Sequence, residues 1–341
     1  MVGVSLPLSG PDRADAAAIW AGARYALSQR GGKAAGVAVE LRQVDEEPGG
    51  RRDPGAAVAA LAPLVADPSV LGVVGPYLSA TAALEVTEAS PSRLPLVSPS
   101  VTGFSSAPGL FRMLPSRSSE ALALAALARR DVAAGKLAVG WSANPSDAAL
   151  ANRFAAELAR RGGAAAPREQ VDPRASSSVD PFLRTGLSDG ATSVFVAAPA
   201  AAGACLLRPA MNAVGFAAGS ELLGGDELVD GSCAHDAPGG GVVAVRPGPD
   251  ADHPGADVAG LRAFAGGDFG RYSLPAFQAT KLLLDAIGRA LRAAGGNLPG
   301  RSEVRSQLAS SFAADGGPRV RLFSVYALTA GSWSWRESLS V

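Results

Sequence analysis

Short apolar runs alternate with longer stretches in which apolar residues recur at helical spacing. The runs at 2–8, 37–44, 71–74, 94–97, 136–140, 193–197 and 241–245 are rich in Val and Leu and too short for helices, which predicts strands. The stretches 14–28, 54–64, 80–89, 118–133, 147–161, 181–187 and 200–214 predict the helices between them. A further amphipathic helix is predicted over about 275–294. The tail reads as a strand pair, 320–328 and 332–335, joined by Thr329-Ala330-Gly331. Such alternation predicts the α/β class, a mostly parallel sheet with helices on both faces.

Two seams interrupt the series. At 111–118, FRMLPSRS, a strand leaves one sheet and a new strand–helix series begins; at 245–254 the chain runs through VRPGPDADHP. A crossing at each seam, and a return near Leu322, predicts two lobes built from non-contiguous segments. The expected lobes are 1–117 with 247–320, and 118–246 with 321–341. A two-lobed α/β chain joined by several strands is expected to hinge around a ligand cleft.

The stretch 71–102 carries the strongest functional signal. A buried strand, a Gly-Pro turn and a loop with Ser79 and Thr81 lead into a helix; a second short strand then ends in Ser98, Ser100 and Thr102. In an open parallel sheet both loops emerge at the carboxyl ends of neighbouring strands, where such sheets bind ligands. Free backbone N–H groups and short hydroxyls at a helix N-terminus suit a carboxylate. Nothing in the segment forms a nucleophile–base pair, so it reads as a place to hold an anion.

Composition narrows the classes. The chain has 341 residues, enough for two domains with real cores, and 31 basic against 31 acidic residues, a balance that argues against nucleic-acid binding. No apolar run approaches the roughly 18 residues of a membrane span. The basic residues are nearly all Arg, with Lys only at 33, 136 and 281, which reads as the coding bias of a GC-rich genome. Met1 runs directly into an apolar strand with no charged or apolar leader before it. This fits either a cytoplasmic protein or one whose targeting segment has been removed. Cys205 and Cys233, 28 residues apart, could be bridged or could be two buried thiols.

Catalytic patterns are thin. The two histidines, His235 and His253, fall in loops, no G-x-S-x-G elbow occurs, and there is neither a phosphate-binding G-x-x-x-x-G-K-[ST] loop nor a G-x-G-x-x-G turn. Cys205, Cys233, His235 and Asp236 have only a weak zinc-like spacing, and no cofactor or metal is expected. Asp45, Glu46 and Glu47 read as a solvated loop, and Trp20 and Tyr25 as helical core packing. Asp226, after Gly224-Gly225 at the mouth of a strand, reads either as a helix cap or as an acid facing the hydroxyl loops.

Taken in order, several segments resemble one family. They are PLSGP at 7–11, the helix carrying Gly22-Ala23-Arg24, the Gly31-Gly32 turn, Asp45 with Asp53-Pro54 and Ala56-Ala57, VVGPYLSA, LPLVSPSVT, FRMLPS, FQATKLLLDAI and VYALTAGSW. Over essentially its whole length the chain resembles the extracellular solute-binding proteins of branched-chain amino acid ABC importers, which have the type I periplasmic binding fold. The resemblance implies two Rossmann-like lobes with parallel sheets joined by a multi-strand hinge. It also implies a monomer that captures an amino acid or amide-like solute in the cleft by hinge closure and hands it to a membrane permease, without enzymatic change.

Carried over residue by residue, the α-carboxylate would be held by Ser79, by Val101 and by the rest of the Ser100–Thr102 segment. The ammonium would be met by the Ser100 carbonyl, the Thr102 hydroxyl and Asp226. The side-chain half of the pocket departs from the pattern: Asp15 stands where the family often has an aromatic, Ser146 replaces a pocket tyrosine, and an aromatic near Ala198-Pro199 is lost. Tyr77 and Phe104 would refill part of the volume. A roomier, more polar pocket points to a polar or larger amino acid, an amide or a peptide-like solute, and Asp15 in the cleft would favour a cationic group. The resemblance further implies a location outside the cytoplasmic membrane, a leader preceding this sequence, a lipid anchor, and an environment that favours a Cys205–Cys233 disulfide. The alternative is the ligand-sensing extracellular domain of a receptor or receptor kinase with the same fold.

Overall fold

A computed structural model describes residues 1–103, 107–131, 136–250 and 258–341. Phe104, His253, the end of the helix expected over 118–133 and part of the second seam lie outside the described residues. The chain divides into two compact units, Met1–Ser116 with Pro254–Arg319, and Arg117–His253 with Val320–Val341.

In the first unit five described strands form a parallel sheet in the spatial order Leu41–Asp45, Val2–Leu6, Val73–Val74, Leu96–Ser98, Leu110–Arg112. Helices cover both faces, so the central strands are buried on both sides; all five residues of Val2–Leu6 are buried. The helix Arg13–Ser28 packs along the long helix Ser273–Ala293, with Ile19, Leu283, Leu284 and Ile287 in a shared core with Val4 and Leu6. Close approach of these helices needs Gly22, where any side chain would collide with the Ser273 carbonyl. The Ser273 hydroxyl then donates to the Ala18 carbonyl at 3.1 Å.

The second unit holds a sheet of seven described strands in the order Ser332–Ser340, Leu322–Thr329, Val242–Pro247, Leu222–Gly224, Ser193–Ala197, Lys136–Trp141, Ala164–Gln170. Its last five strands are parallel, and the C-terminal pair adds antiparallel. Phe154 and Phe195 stack at 4.0 Å in its core. Ala164–Gln170, AAAPREQ, does not show in the apolar pattern because it is a rim strand, largely exposed and interrupted by Pro167. Among the described residues no helix is long and apolar enough to cross a membrane.

One local expectation is overturned. Glu46 and Glu47 are not a solvated loop, being 1% and 0% exposed. Asp45 turns the chain inward by accepting the N–H groups of Leu8 and Glu47 and the Ser9 hydroxyl. Burial works against its charge, but these donors bring its carboxyl below the ordinary value.

Candidate functional site

At the carboxyl edge of the first sheet, two loops follow Val73–Val74 and Leu96–Ser98, and hydroxyls stitch them together. Ser98 donates to the Pro76 carbonyl at 2.7 Å and accepts the N–H groups of Ser100 and Val101 at 3.2 and 2.9 Å. Ser100 donates to the Tyr77 carbonyl at 2.7 Å. Ser79 Oγ accepts the N–H groups of Thr102 and Gly103 at 3.2 and 3.1 Å. The protons of Ser98 and Ser100 are therefore committed to the fold. By contrast, the hydroxyl protons of half-buried Ser79 and Thr102 meet no acceptor among the described residues and can be donated to an anion. Val101 is fully buried in the apolar layer below, so only its main chain is available.

Tyr77 is held from three sides. Its N–H reaches the Glu46 carboxylate at 3.0 Å, its carbonyl accepts from Ser100, and its phenol donates to Asp15 Oδ2 at 2.7 Å. Tyr272 meets the ring edge-on with centroids 5.8 Å apart. Burial and the Asp15 charge push the Tyr77 hydroxyl far above its ordinary value, so it stays a donor. Asp15 lies half-buried in the first turn of its helix, where the dipole favours a negative charge. Ser79, Ser100, Val101, Thr102, Tyr77 and Asp15 thus belong to one unit, linked by these bonds.

Asp226 and Ser146 lie in the other unit. Asp226 follows Leu222–Gly224 and accepts from Arg246 Nε at 3.0 Å. Arg246 also donates to the Val229 carbonyl and lies over the Tyr326 ring. The Asp226 N–H reaches Glu120 Oε1 at 3.0 Å. Asp226 is not a helix cap, because Gly225 takes the cap position. Burial raises Glu120 to about 7 even though the Arg117 charge opposes it. Arg117 bridges Asp147 at 2.7 Å and Glu227 at 2.6 Å, and Asp147 also accepts from Ser142 at 2.6 Å. Ser146 is exposed, its N–H bonded to Asn144 Oδ1 at 2.9 Å on the first turn of Pro145–Arg160. The carboxyl edge of this sheet is thus a network of ion pairs where aromatic walls were expected to be missing.

Cys205 and Cys233 form a disulfide with their Cα atoms 5.1 Å apart, so neither is a thiolate ligand for a metal. Among the described residues no group of three or more His, Cys, Asp or Glu side chains could hold a metal ion. Glu46, Tyr272 and Arg246 were missed from sequence. The signal for Arg246 was present, an arginine in the apolar run VVAVRP; for Tyr272 there was none.

Two α/β units, each presenting polar loops at the carboxyl edge of a parallel sheet, define a ligand-binding protein of the doubly wound class. The sequence model for the periplasmic binding protein family matches residues 1–323, and the chain belongs to that family. No curated protein matches the sequence. Among solved structures, the chain is similar to one named as a branched-chain amino acid ABC transporter from Rhodospirillum rubrum, at 21% identity, with 98% of this chain and 99% of that one covered and a TM-score of 0.77. It is also similar to the substrate-binding protein LivJ from Streptococcus pneumoniae in complex with isoleucine (17% identity, 100% and 98% covered, TM-score 0.72). A third is a solute-binding protein from R. palustris in complex with benzoate (19% identity, 100% and 96% covered, TM-score 0.72). At these identities the likeness speaks for the fold.

Proposed function

We propose that this protein captures a small carboxylate-bearing solute, an amino acid or an amide-like relative, and delivers it to an ABC permease outside the cytoplasmic membrane. The carrying observation is Ser79, whose oxygen staples the second loop while its proton, and that of Thr102, remain available to a carboxylate. Isoleucine and benzoate, held by two similar proteins, share a carboxylate but not an ammonium. The constant element of recognition is therefore assigned to the first unit. The event is reversible capture with no covalent change. A disulfide in the second unit supports an oxidising, extracytoplasmic setting, with a lipid anchor as its tether.

The test is a thermal-shift screen of protein unfolded and refolded to strip bound solute, against amino acids, short peptides, polyamines and aromatic and aliphatic carboxylates. A ligand at about 100 times its Kd stabilises by roughly 2.7 kcal/mol, a shift of several degrees. A shift confined to carboxylate-bearing compounds supports the reading; a shift only with polyamines, or none at all, overturns it.

A further inference from the structure

Two buried carboxyls grip the loop that carries Tyr77 and Ser79 from opposite ends. Glu46, 1% exposed, takes the Tyr77 N–H on both oxygens, at 3.0 and 3.2 Å. Glu85, fully buried in the helix Ala82–Ala89, has Oε1 at 2.7 Å from the Thr81 hydroxyl, and its Oε2 has no hydrogen-bond partner among the described residues. The Thr81 oxygen also lies 3.2 Å from the Leu78 carbonyl. A hydroxyl has one proton, yet this one faces two acceptors if Glu85 is ionised. A buried carboxylate oxygen with no donor adds a desolvation cost that neutralisation removes.

The count balances if Glu85 is a carboxylic acid. Its O–H then donates to Thr81, and the Thr81 proton goes to Leu78. We infer that Glu85 is kept neutral as a hydrogen-bond donor to Thr81, and that its proton is a positioning device for the loop presenting Ser79. Glu85 has an acceptor for such a proton in the Thr81 oxygen; burial pushes Glu46 up as well, against the Tyr77 N–H that favours its charged form. Burial raises Glu85 to about 7 against the opposing effect of the Thr81 hydrogen bond. The groups facing the pair are Ser5 from the first strand, the main chain of Tyr77 and Leu78, and Thr81; no lysine or arginine among the described residues is bonded to either. Raising the pH through about 7 would ionise Glu85, leave a charged Oε2 without a donor among the described residues and break the Thr81 link. Solute affinity, on the reading that Ser79 anchors the solute, should then fall.

The experiment compares full-length wild type with Glu85→Gln, whose amide donates to Thr81 at every pH. Thermal midpoints of ligand-free protein should coincide near pH 5, and the variant should be higher by several degrees at pH 8. Midpoints that track each other across this range overturn the inference. Glu120, the other carboxyl raised to about 7, is common to both proteins and cancels. With isoleucine and benzoate as probes, wild-type affinity should fall at least threefold from pH 6 to 8 and that of the variant should stay level. If neither probe binds, the solute reading is in question, and the stability comparison still decides the proton. If Glu85→Gln does not fold, Glu120→Gln must show an infrared carboxylic-acid band that vanishes through pH 7; a spectrum without that band overturns the inference.

Discussion

Arg246 Nε donates to Asp226 Oδ1 at 3.0 Å, and each side chain of the pair is about one-fifth exposed (20% and 18%). The acid matched by resemblance to an ammonium site is therefore already ion-paired within its own unit. Partly buried pairs lie between exposed ones, at about 0–1 kcal/mol, and fully buried ones, at about 3–5 kcal/mol when one partner is lost. Asp226→Ala should cost roughly 1–2 kcal/mol in ligand-free protein, and Arg246→Met a similar amount. The double variant should lose less than the sum, as calorimetric unfolding would show. A cost for Asp226→Ala that appears only with bound solute would return the residue to the solute.

Arg301 is a polar anchor of the first unit. Its guanidinium donates to the carbonyls of Leu64, Val65, Asp67 and Val70, closing the C-terminal end of the helix Pro54–Ala66. The Leu64 and Val65 carbonyls lie in the last turn of that helix, at the negative end of its dipole, and the Asp67 carbonyl also accepts the Val70 N–H at 3.1 Å. Replacement by Ala should cost roughly 2–3 kcal/mol in urea unfolding, the value of hydrogen bonds to a charged group. Lysine should recover little, since an ammonium cannot span four acceptors. Full rescue by lysine would reduce the role to charge alone.

The Cys205–Cys233 bridge closes a loop of 28 residues in the second unit. Loops of this length give about 3–4 kcal/mol by restricting the unfolded chain. Reduction, or Cys205→Ala with Cys233→Ala, should lower the unfolding temperature of the second unit and leave that of the first unchanged. Equal loss in both units would mean that they unfold as one.

Legibility in the sequence followed burial. Strands buried on both faces, such as Val2–Leu6 and Ser193–Ala197, show as continuous apolar runs, whereas the rim strand Ala164–Gln170 does not. The hydroxyls at Ser79, Ser100 and Thr102 could be placed on two neighbouring loops from strand–loop order alone. Which of their protons the fold consumes could not, because that depends on main-chain groups far along the chain, as for Ser100, whose acceptor is the Tyr77 carbonyl 23 residues back. Glu46 misled for the same reason, since its partner is the Tyr77 N–H, 31 residues on. Arg246, which pairs with Asp226, comes 20 residues later, on the strand Val242–Pro247.

The most direct test is calorimetric titration of refolded protein with the best carboxylate from the screen, comparing wild type with Ser79→Ala, Thr102→Ala. The expected result is single-site binding in wild type and an affinity at least 100-fold weaker in the variant. That loss is about 2.7 kcal/mol, reasonable for two hydrogen bonds to a charged group. Loss of the Ser79 acceptor should shift the ligand-free unfolding temperature by only a few degrees. Unchanged affinity in a folded variant would show that the solute is held elsewhere.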